Sequence, residues 1–450
     1  MSTTELINND CETLEYPEVS DSWVSRCDVI EKTTEVSYIK VRKYGLWGIL
    51  KYFDDKFHIV VSPSFEELSD FDEDGYASAK IGYDTKFKVH RSGRIAIDSS
   101  FLVSRQYKEI EGLREVDIPD HVWLDKNTYG IFEDCKNLKT VHITNCEKHK
   151  CISKGMFTGC ESLEHVEIPD SVTAVCSGAF CNCKSLAHID LSPNLETIGD
   201  GAFTGCDSME TITIPASVTK IESGGGLILC KNLKEIVVDP ANQQYASIDG
   251  VLYDKSVEEL VAYSMNREAK AFSVPNTIHA IYGHTFRECE HLEKVVIPAS
   301  VNRIDRYAFY NCMKLKEIEV SPSNNVFSSL DGVLYDKAGE HLLLYPINKE
   351  AKEFVVPDTI HKLESNTFNM NDHLEKVVIP DSVTSFAESV FYCCDGLKEV
   401  VMPDNIQYAV GEIFFLHNDM LKNLSIVISR KLYENIQSCL PRGVKIVFKD

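Results

Sequence analysis

From about residue 107 onward, hydrophobic positions fall into a recurring frame, Phe-x-x-Cys-x-x-Leu-x-x-Val/Ile-x-Ile/Val, usually followed by Pro and then Ser-Val-Thr-x-Ile. Ala179-Phe-Cys-Asn-Cys-Lys-Ser-Leu186 returns as Ala202-Phe-Thr-Gly-Cys-Asp-Ser-Met209 and as Ala308-Phe-Tyr-Asn-Cys-Met-Lys-Leu315. The frame's cysteines are Cys135, Cys160, Cys183, Cys206, Cys230, Cys289, Cys312 and Cys394, most of them 23 to 25 residues from the next. Two steps of 59 residues interrupt the series, the second ending at Asn371, which stands where a cysteine is due. Three residues before each of these sites lies a phenylalanine, with Leu227 the exception. Phe415, Asn418, Leu421, Leu424 and Ile426 fit a last unit, and Tyr107, Ile110, Leu113, Val116 and Ile118 a degenerate first one, making eleven units.

Each unit carries one short alternating stretch. In Leu163-Glu-His-Val-Glu-Ile168, period two sends Val166 and Ile168 inward and His165 and Glu167 outward, the signature of a strand with one buried face. The proline that follows has no N–H to donate and ends the ladder. One such coil cannot bury its own apolar face, so neighbours must stack and share a column of Phe, Leu, Val and Ile. Cysteine stands where a small group sits against the turning backbone, and Asn371 and Asn418 at that site predict that it caps backbone amides.

The pattern resembles the BspA-type leucine-rich repeat, I-P-x-S-V-T-x-I-x-x-x-A-F-x-x-C-x-x-L, over residues 107–428. The resemblance implies a β-rich leucine-rich-repeat solenoid, a curved stack of parallel strands used for protein or surface recognition and without catalysis of its own. Within the long steps, Tyr245-Ala-Ser-Ile-Asp-Gly-Val-Leu-Tyr-Asp-Lys255 repeats as Phe327-Ser-Ser-Leu-Asp-Gly-Val-Leu-Tyr-Asp-Lys337. Asp-Gly between apolar runs marks a tight turn, so a β-hairpin hung on one flank is predicted at 239–273 and again at 321–355.

Residues 36–100 differ. Tyr44-Gly-Leu-Trp-Gly48, then Ile59-Val-Val-Ser-Pro-Ser-Phe65 and Phe71-Asp-Glu-Asp-Gly75, resemble a tryptophan–glycine (WG) repeat, and a partial second unit lacking Trp-Gly runs from Phe87 to Ile97. Short strands with glycine turns predict a small antiparallel β module ahead of the solenoid, which is taken as 101–428. Residues 429–450, a helical spacing followed by Gly443-Val-Lys-Ile-Val-Phe448, are expected to cover the far end. Residues 1–35 hold nine acids against Arg26 and Lys32, with no hydrophobic period, and read as an acidic, partly disordered lead-in.

Charge narrows the function. Lys+Arg 46 against Asp+Glu 69 gives a formal charge of −23, which disfavours nucleic acid as a partner. No stretch approaches the ~20 apolar residues of a membrane span. The N-terminus lacks the basic start and apolar core of a secretion signal, so the expected compartment is the cytoplasm, its sixteen cysteines reduced. The alternative is a surface adhesin, since relatives of this repeat are often exported.

Chemistry candidates are few. No nucleophile elbow, phosphate loop, zinc-protease or dinucleotide motif occurs, no carboxylate pair is singled out by its spacing, and neither an enzyme nor a cofactor is expected. Gly224-Gly-Gly226 reads as a loosened coil. Cys146-x-x-His149-x-Cys151, between Cys135 and Cys160, supports a second alternative, a metal-binding protein or enzyme centred on 135–160, against the simpler structural reading. Asn423-Leu-Ser425 fits a glycosylation sequon by accident of composition.

The outward strand positions point to a protein partner. His142, His165, His188, Glu167 and Asp190 occupy the first half, and adjacent coils ~4.8 Å apart should make His165 and His188 direct neighbours. That face is an ordinary solvated surface, a pH-sensitive contact or a weak metal site. Farther along, Val237, Val296, Val378 and Val401 put apolar groups where polar ones belong, between Lys294, Glu317, Lys376 and Glu399. Either the hairpins cover these valines or they form a recognition patch. No motif names the partner or the oligomeric state.

Overall fold

The structure, a computed structural model, describes residues 113–120, 129–283, 285–409, 413–415 and 423–449. Before residue 113 it describes 18–19, 29–32, 38–43, 46–53, 56–65, 67–72, 76–81, 85–90 and 95–97. Tyr107, Ile110, Asn418, Leu421 and most of the acidic lead-in lie outside these residues. The chain divides into two compact units, Met1–Cys230 and Lys231–Asp450.

The first unit opens with the small antiparallel β module. Glu18–Val19, Lys56–Phe65, Leu46–Phe53, Tyr38–Lys43 and Val29–Lys32 pair in that order. A second antiparallel run follows through Glu67–Leu68, Tyr76–Ile81, Thr85–His90 and Ile95–Ile97. Its last strand pairs in parallel with Glu115–Ile118, opposing Ile95 to Val116. The module therefore continues into the solenoid sheet and occupies the edge that the first coil would otherwise leave open.

The period-two reading holds in register. Val116, Val141 and Val166 oppose one another along Glu115–Ile118, Thr140–Ile143 and His165–Glu167, and all three are buried. A second parallel file of two-residue strands runs through Cys151–Ile152, Ala174–Val175, Thr197–Ile198 and Lys220–Ile221. Between the files the phenylalanine column stacks ring on ring, with centroids 5.6 Å apart from Phe132 to Phe157, 5.4 Å to Phe180 and 5.7 Å to Phe203. Where Gly224-Gly-Gly226 displaces the frame, a 3-10 helix spans Glu222–Leu229, and Leu227 is buried in its place.

The frame cysteines are buried, but they do not cap amides. Each frame thiol from Cys160 onward, Cys289 apart, donates to the carbonyl of the preceding coil's phenylalanine: Cys160 to Phe132 at 3.0 Å, Cys183 to Phe157 at 3.2 Å, Cys206 to Phe180 at 3.3 Å and Cys312 to Phe286 at 2.7 Å. A thiol has one proton to give and a poor acceptor, so it serves carbonyls. Asn371 does both jobs: its Nδ2 donates to Pro346 O at 2.9 Å while its Oδ1 accepts from the amides of His373 and Leu374. The residue before the cysteine takes positive φ in coil after coil, as at Asp134 (62°), Asn182 (60°) and Asn311 (63°). Asp, Asn and Gly tolerate that turn best, which explains their recurrence there.

In the second unit the inserts are more than hairpins. Tyr245–Ile248 and Val251–Asp254 pair antiparallel, as do Phe327–Leu330 and Val333–Asp336. The turns are formed by Asp249-Gly250 and Asp331-Gly332, all at positive φ, as the sequence predicts. A third antiparallel strand then adds to each, Leu260–Ala262 and His341–Leu344. Val251, Leu252 and Tyr253, like Val333, Leu334 and Tyr335, are buried, so the inserts are built into the core rather than hung on a flank.

Each insert also contains a coil that the cysteine frame conceals. Tyr263 meets Phe286 edge-on at 5.2 Å and Tyr345 meets Phe368 at a tilt at 5.4 Å, each in the phenylalanine position. Asn266 and Asn348 stand where cysteine would, their Oδ1 atoms accepting from His291 Nε2 at 3.0 Å and His373 Nε2 at 2.9 Å. At the far end Phe414 stacks on Phe391 at 4.8 Å, one position before the Phe415 of the sequence frame. At the far edge Lys445–Phe448 pairs in parallel with Ser425–Ile428, and the helix Arg430–Ile436 lies between them in the chain.

Candidate interaction surface

The outward valines do not form one patch. Val296, on Lys294–Ile297, is flanked in register by Ser273 and Glu319. Val237 lies on Glu235–Val238, where the Gly250 carbonyl accepts from the Ile236 amide at 3.1 Å. The second insert does the same one segment later: Gly332 O accepts from Ile318 N at 2.9 Å. A Cβ on Gly332 would lie 3.0 Å from Glu317 Cγ, so this docked turn needs glycine both for its φ of +78° and for the approach. The insert thus occupies the edge where another parallel strand would pair, and the sheet starts afresh beyond it.

Beyond that break the valines do assemble. The parallel sheet of Glu353–Val355, Lys376–Val378, Glu399–Val401, Ser425–Ile428 and Lys445–Phe448 sets Val355, Val378, Val401, Val427 and Val447 opposite one another. Val355 is 58% exposed and the other four are half-buried. Beside them runs a charged file in which Lys376 Nζ lies 3.2 Å from Glu399 Oε1 and 3.5 Å from Glu353 Oε1. Those charges satisfy each other, while the valines face outward with nothing of this sheet over them. Of the sequence candidates, Val378 and Val401 belong to this file and Val237 and Val296 do not. Val355 and Val427 were not singled out from sequence, although Val355 stands 23 residues before Val378, one repeat period.

The histidine face is rearranged as well. His142 is bracketed by two carboxylates, with Nε2 3.1 Å from Glu115 Oε1 and Nδ1 3.1 Å from Glu167 Oε2. Glu167 also lies 3.6 Å from His165 Nε2. Hydrogen bonding from His142, and then from His165, holds the Glu167 carboxyl below its usual range despite the opposing effect of partial burial. The expected pairing of His165 with His188 does not form. The sheet ends at His165–Glu167, and His188 turns onto its own Asp190 at 2.9 Å. Ser192 and Asn194 explain the local change: both side chains donate to Asp170 O, so side chains take up the coil-to-coil bonding here.

The 135–160 constellation is dispersed. His149 is fully buried with Nδ1 2.7 Å from Thr144 O, Cys146 Sγ points to Asp120 O, and Cys160 belongs to the thiol ladder. Among the described residues no group of three or more His, Cys, Asp or Glu side chains is placed to hold a metal ion. No helix among them is long and apolar enough to cross a membrane.

Comparison with solved structures finds bacterial leucine-rich repeat proteins. A leucine rich cell surface protein from Faecalibacterium prausnitzii is 24% identical, with 79% of this chain and 97% of that chain covered at a TM-score of 0.47. A leucine-rich repeat protein from Eubacterium ventriosum is 17% identical, over 81% of this chain and 83% of that one, at a TM-score of 0.38. The pneumococcal vaccine antigen PcpA is 14% identical, over 85% and 99%, at a TM-score of 0.39. Curated proteins give no match. Six copies of the BspA type leucine rich repeat region match residues 102–234, 256–331 and 347–439, more than half of the chain, and the protein belongs to that family.

Proposed function

We propose that this chain is a non-catalytic scaffold that binds a protein partner through the outward face of its last parallel sheet. The carrying observation is the valine file Val355–Val378–Val401–Val427, apolar on a face whose charges are already paired. Apolar groups at the centre of an interface supply most of its energy, and a charged rim sets orientation. The histidine face is a second, polar contact in this reading. The resemblance of residues 36–100 to tryptophan–glycine repeats belongs to the same proposal, supported by Trp47, whose ring receives Lys40 Nζ at 5.5 Å and Arg42 Cζ at 5.9 Å.

We place the chain in the cytoplasm because every described cysteine is a free thiol, and many are committed as donors to carbonyls. Affinity capture from the native cell, with wild-type and Val378→Asp/Val401→Asp baits compared, tests the surface. The co-purifying protein is expected to be lost from the variant while the bait stays folded. Equal recovery from both baits would remove the valine file as the docking site. Fractionation of the same cells tests the compartment, and recovery in the surface fraction would favour the adhesin reading.

A further inference from the structure

The second unit's core is divided in two. One hydrophobic cluster runs from Val251 to Ile347 and another from Val333 to Leu440. The aromatic column follows the division: Phe309 stacks on Phe286 at 5.3 Å, and a second run begins with Tyr345 on Phe368 at 5.4 Å. The second insert lies in the chain between these runs, and where they part a cavity of about 280 Å³ remains. Phe309, Phe327, Leu334, Leu343 and Leu344 give it a broad apolar wall, and Asp305, Arg306, Glu364, Ser365, Asn366 and Asn369 line much of the rest.

The charges at its mouth are already engaged. Arg306 bonds Glu388 at 2.9 Å, Asp305 receives Arg303 at 2.8 Å, and Glu364 receives Lys362 at 2.7 Å. Asn369 is different. It lines the cavity, is only 5% exposed, and its buried Oδ1 has no hydrogen-bond partner among the described residues. A buried carbonyl oxygen left unpaired costs ~1–3 kcal/mol, so a donor that reached Asn369 Oδ1 would be favoured.

We propose that this cavity binds a neutral aromatic ring system carrying one N–H donor, the indole class, with the donor on Asn369 Oδ1. The size agrees, since an apolar cavity of about 150 Å³ already takes a benzene ring. The mutually paired charges give neither a carboxylate nor an ammonium an advantage. One unpaired acceptor beside a broad apolar wall favours a ligand with one donor on a flat apolar body, as small-ligand sites do. The source is either the free heterocycle or a tryptophan side chain borne by a peptide.

Indole itself is the probe, added to the full chain labelled at Ile and Leu methyls and followed by NMR. Saturable shifts are expected at Leu334, Leu343 and Leu344. Benzofuran, the same shape without the N–H, should bind about tenfold more weakly. Leu344→Trp fills the cavity from a partly exposed position and should abolish the shifts with the unfolding temperature unchanged. Absence of shifts, equal binding of benzofuran, or shifts that persist in the filled variant would each overturn the proposal. N-acetyl-tryptophanamide binding as well as indole would assign the site to a tryptophan-bearing peptide, and its failure to bind would assign the site to the free heterocycle.

Discussion

The Cys160 thiol donates to the Phe132 carbonyl across 3.0 Å, joining one coil to the coil before it. Burial pushes that thiol up to about 12, and Cys230, bonded in the same way to Phe203 O, also to about 12. Thiolate is the reactive form, so these side chains are protected twice, by access and by protonation. Alkylation of the folded protein at pH 8 should modify half-buried Cys146 and Cys439 first and leave Cys160, Cys183, Cys206 and Cys230 until unfolding. Peptide mapping by mass spectrometry reads the order. Early labelling of Cys183 would contradict the ladder.

The phenylalanine column makes a graded prediction. Phe180 stacks on both sides, at 5.4 Å and 5.7 Å, whereas Phe309 stacks on Phe286 and otherwise faces the cavity. Phe180→Ala should cost about 3–5 kcal/mol and loosen both neighbouring coils, while Phe309→Ala should cost less. Denaturant midpoints give the order, and hydrogen exchange at Phe157 and Phe203 gives the spread. Equal costs would mean that the column is not broken at Phe309.

What could be read from sequence follows from which interactions are local. The Phe-x-x-Cys frame and the alternating strand each lie within one coil, so residue type at fixed spacing exposes them. The coils of Tyr263 and Tyr345 were hidden because both marker residues change together, Phe to Tyr and Cys to Asn266 or Asn348. Period two identified Val378 and Val401 as outward, but their separation from Val296 depends on where the Asp331-Gly332 turn docks, against Glu317. The single-stranded pattern at His188 looks the same as at His165, and only the bonding of Ser192 and Asn194 to Asp170 tells them apart. The cavity at Asn369 is a product of the interrupted stack and has no signature along the chain.

Acid should find one surface group in particular. Lys352 at 2.8 Å and Lys398 at 2.6 Å both bond Glu375, holding its carboxyl down at about 2. A depressed folded-state pKa contributes stability that is complete above the ordinary carboxylate value and fades as pH falls toward about 2. Glu375→Gln should therefore lower the unfolding temperature at pH 7, and the difference from wild type should shrink between about pH 4.5 and pH 2. High salt should shrink it too, because the group is at the surface. A difference independent of pH would assign the effect to packing.

Tyr345 invites the opposite kind of change. It holds the phenylalanine position of its coil, is fully buried, and packs at a tilt against Phe354 at 4.8 Å and Phe368 at 5.4 Å. Its hydroxyl is buried without a hydrogen-bond partner among the described residues. Burial pushes the phenol up to about 12, so the group stays neutral and still lacks an acceptor. A buried hydroxyl left unpaired costs about 1–3 kcal/mol, whereas the ring's packing survives its removal. Tyr345→Phe should therefore stabilise the chain by about 1 kcal/mol, against the usual direction of core substitutions. Tyr345→Ala should cost several times that through the cavity it leaves. Denaturant titration of the two variants decides the matter. If Tyr345→Phe destabilises, the hydroxyl has a bound water or a side-chain partner, and the column depends on tyrosine at that coil.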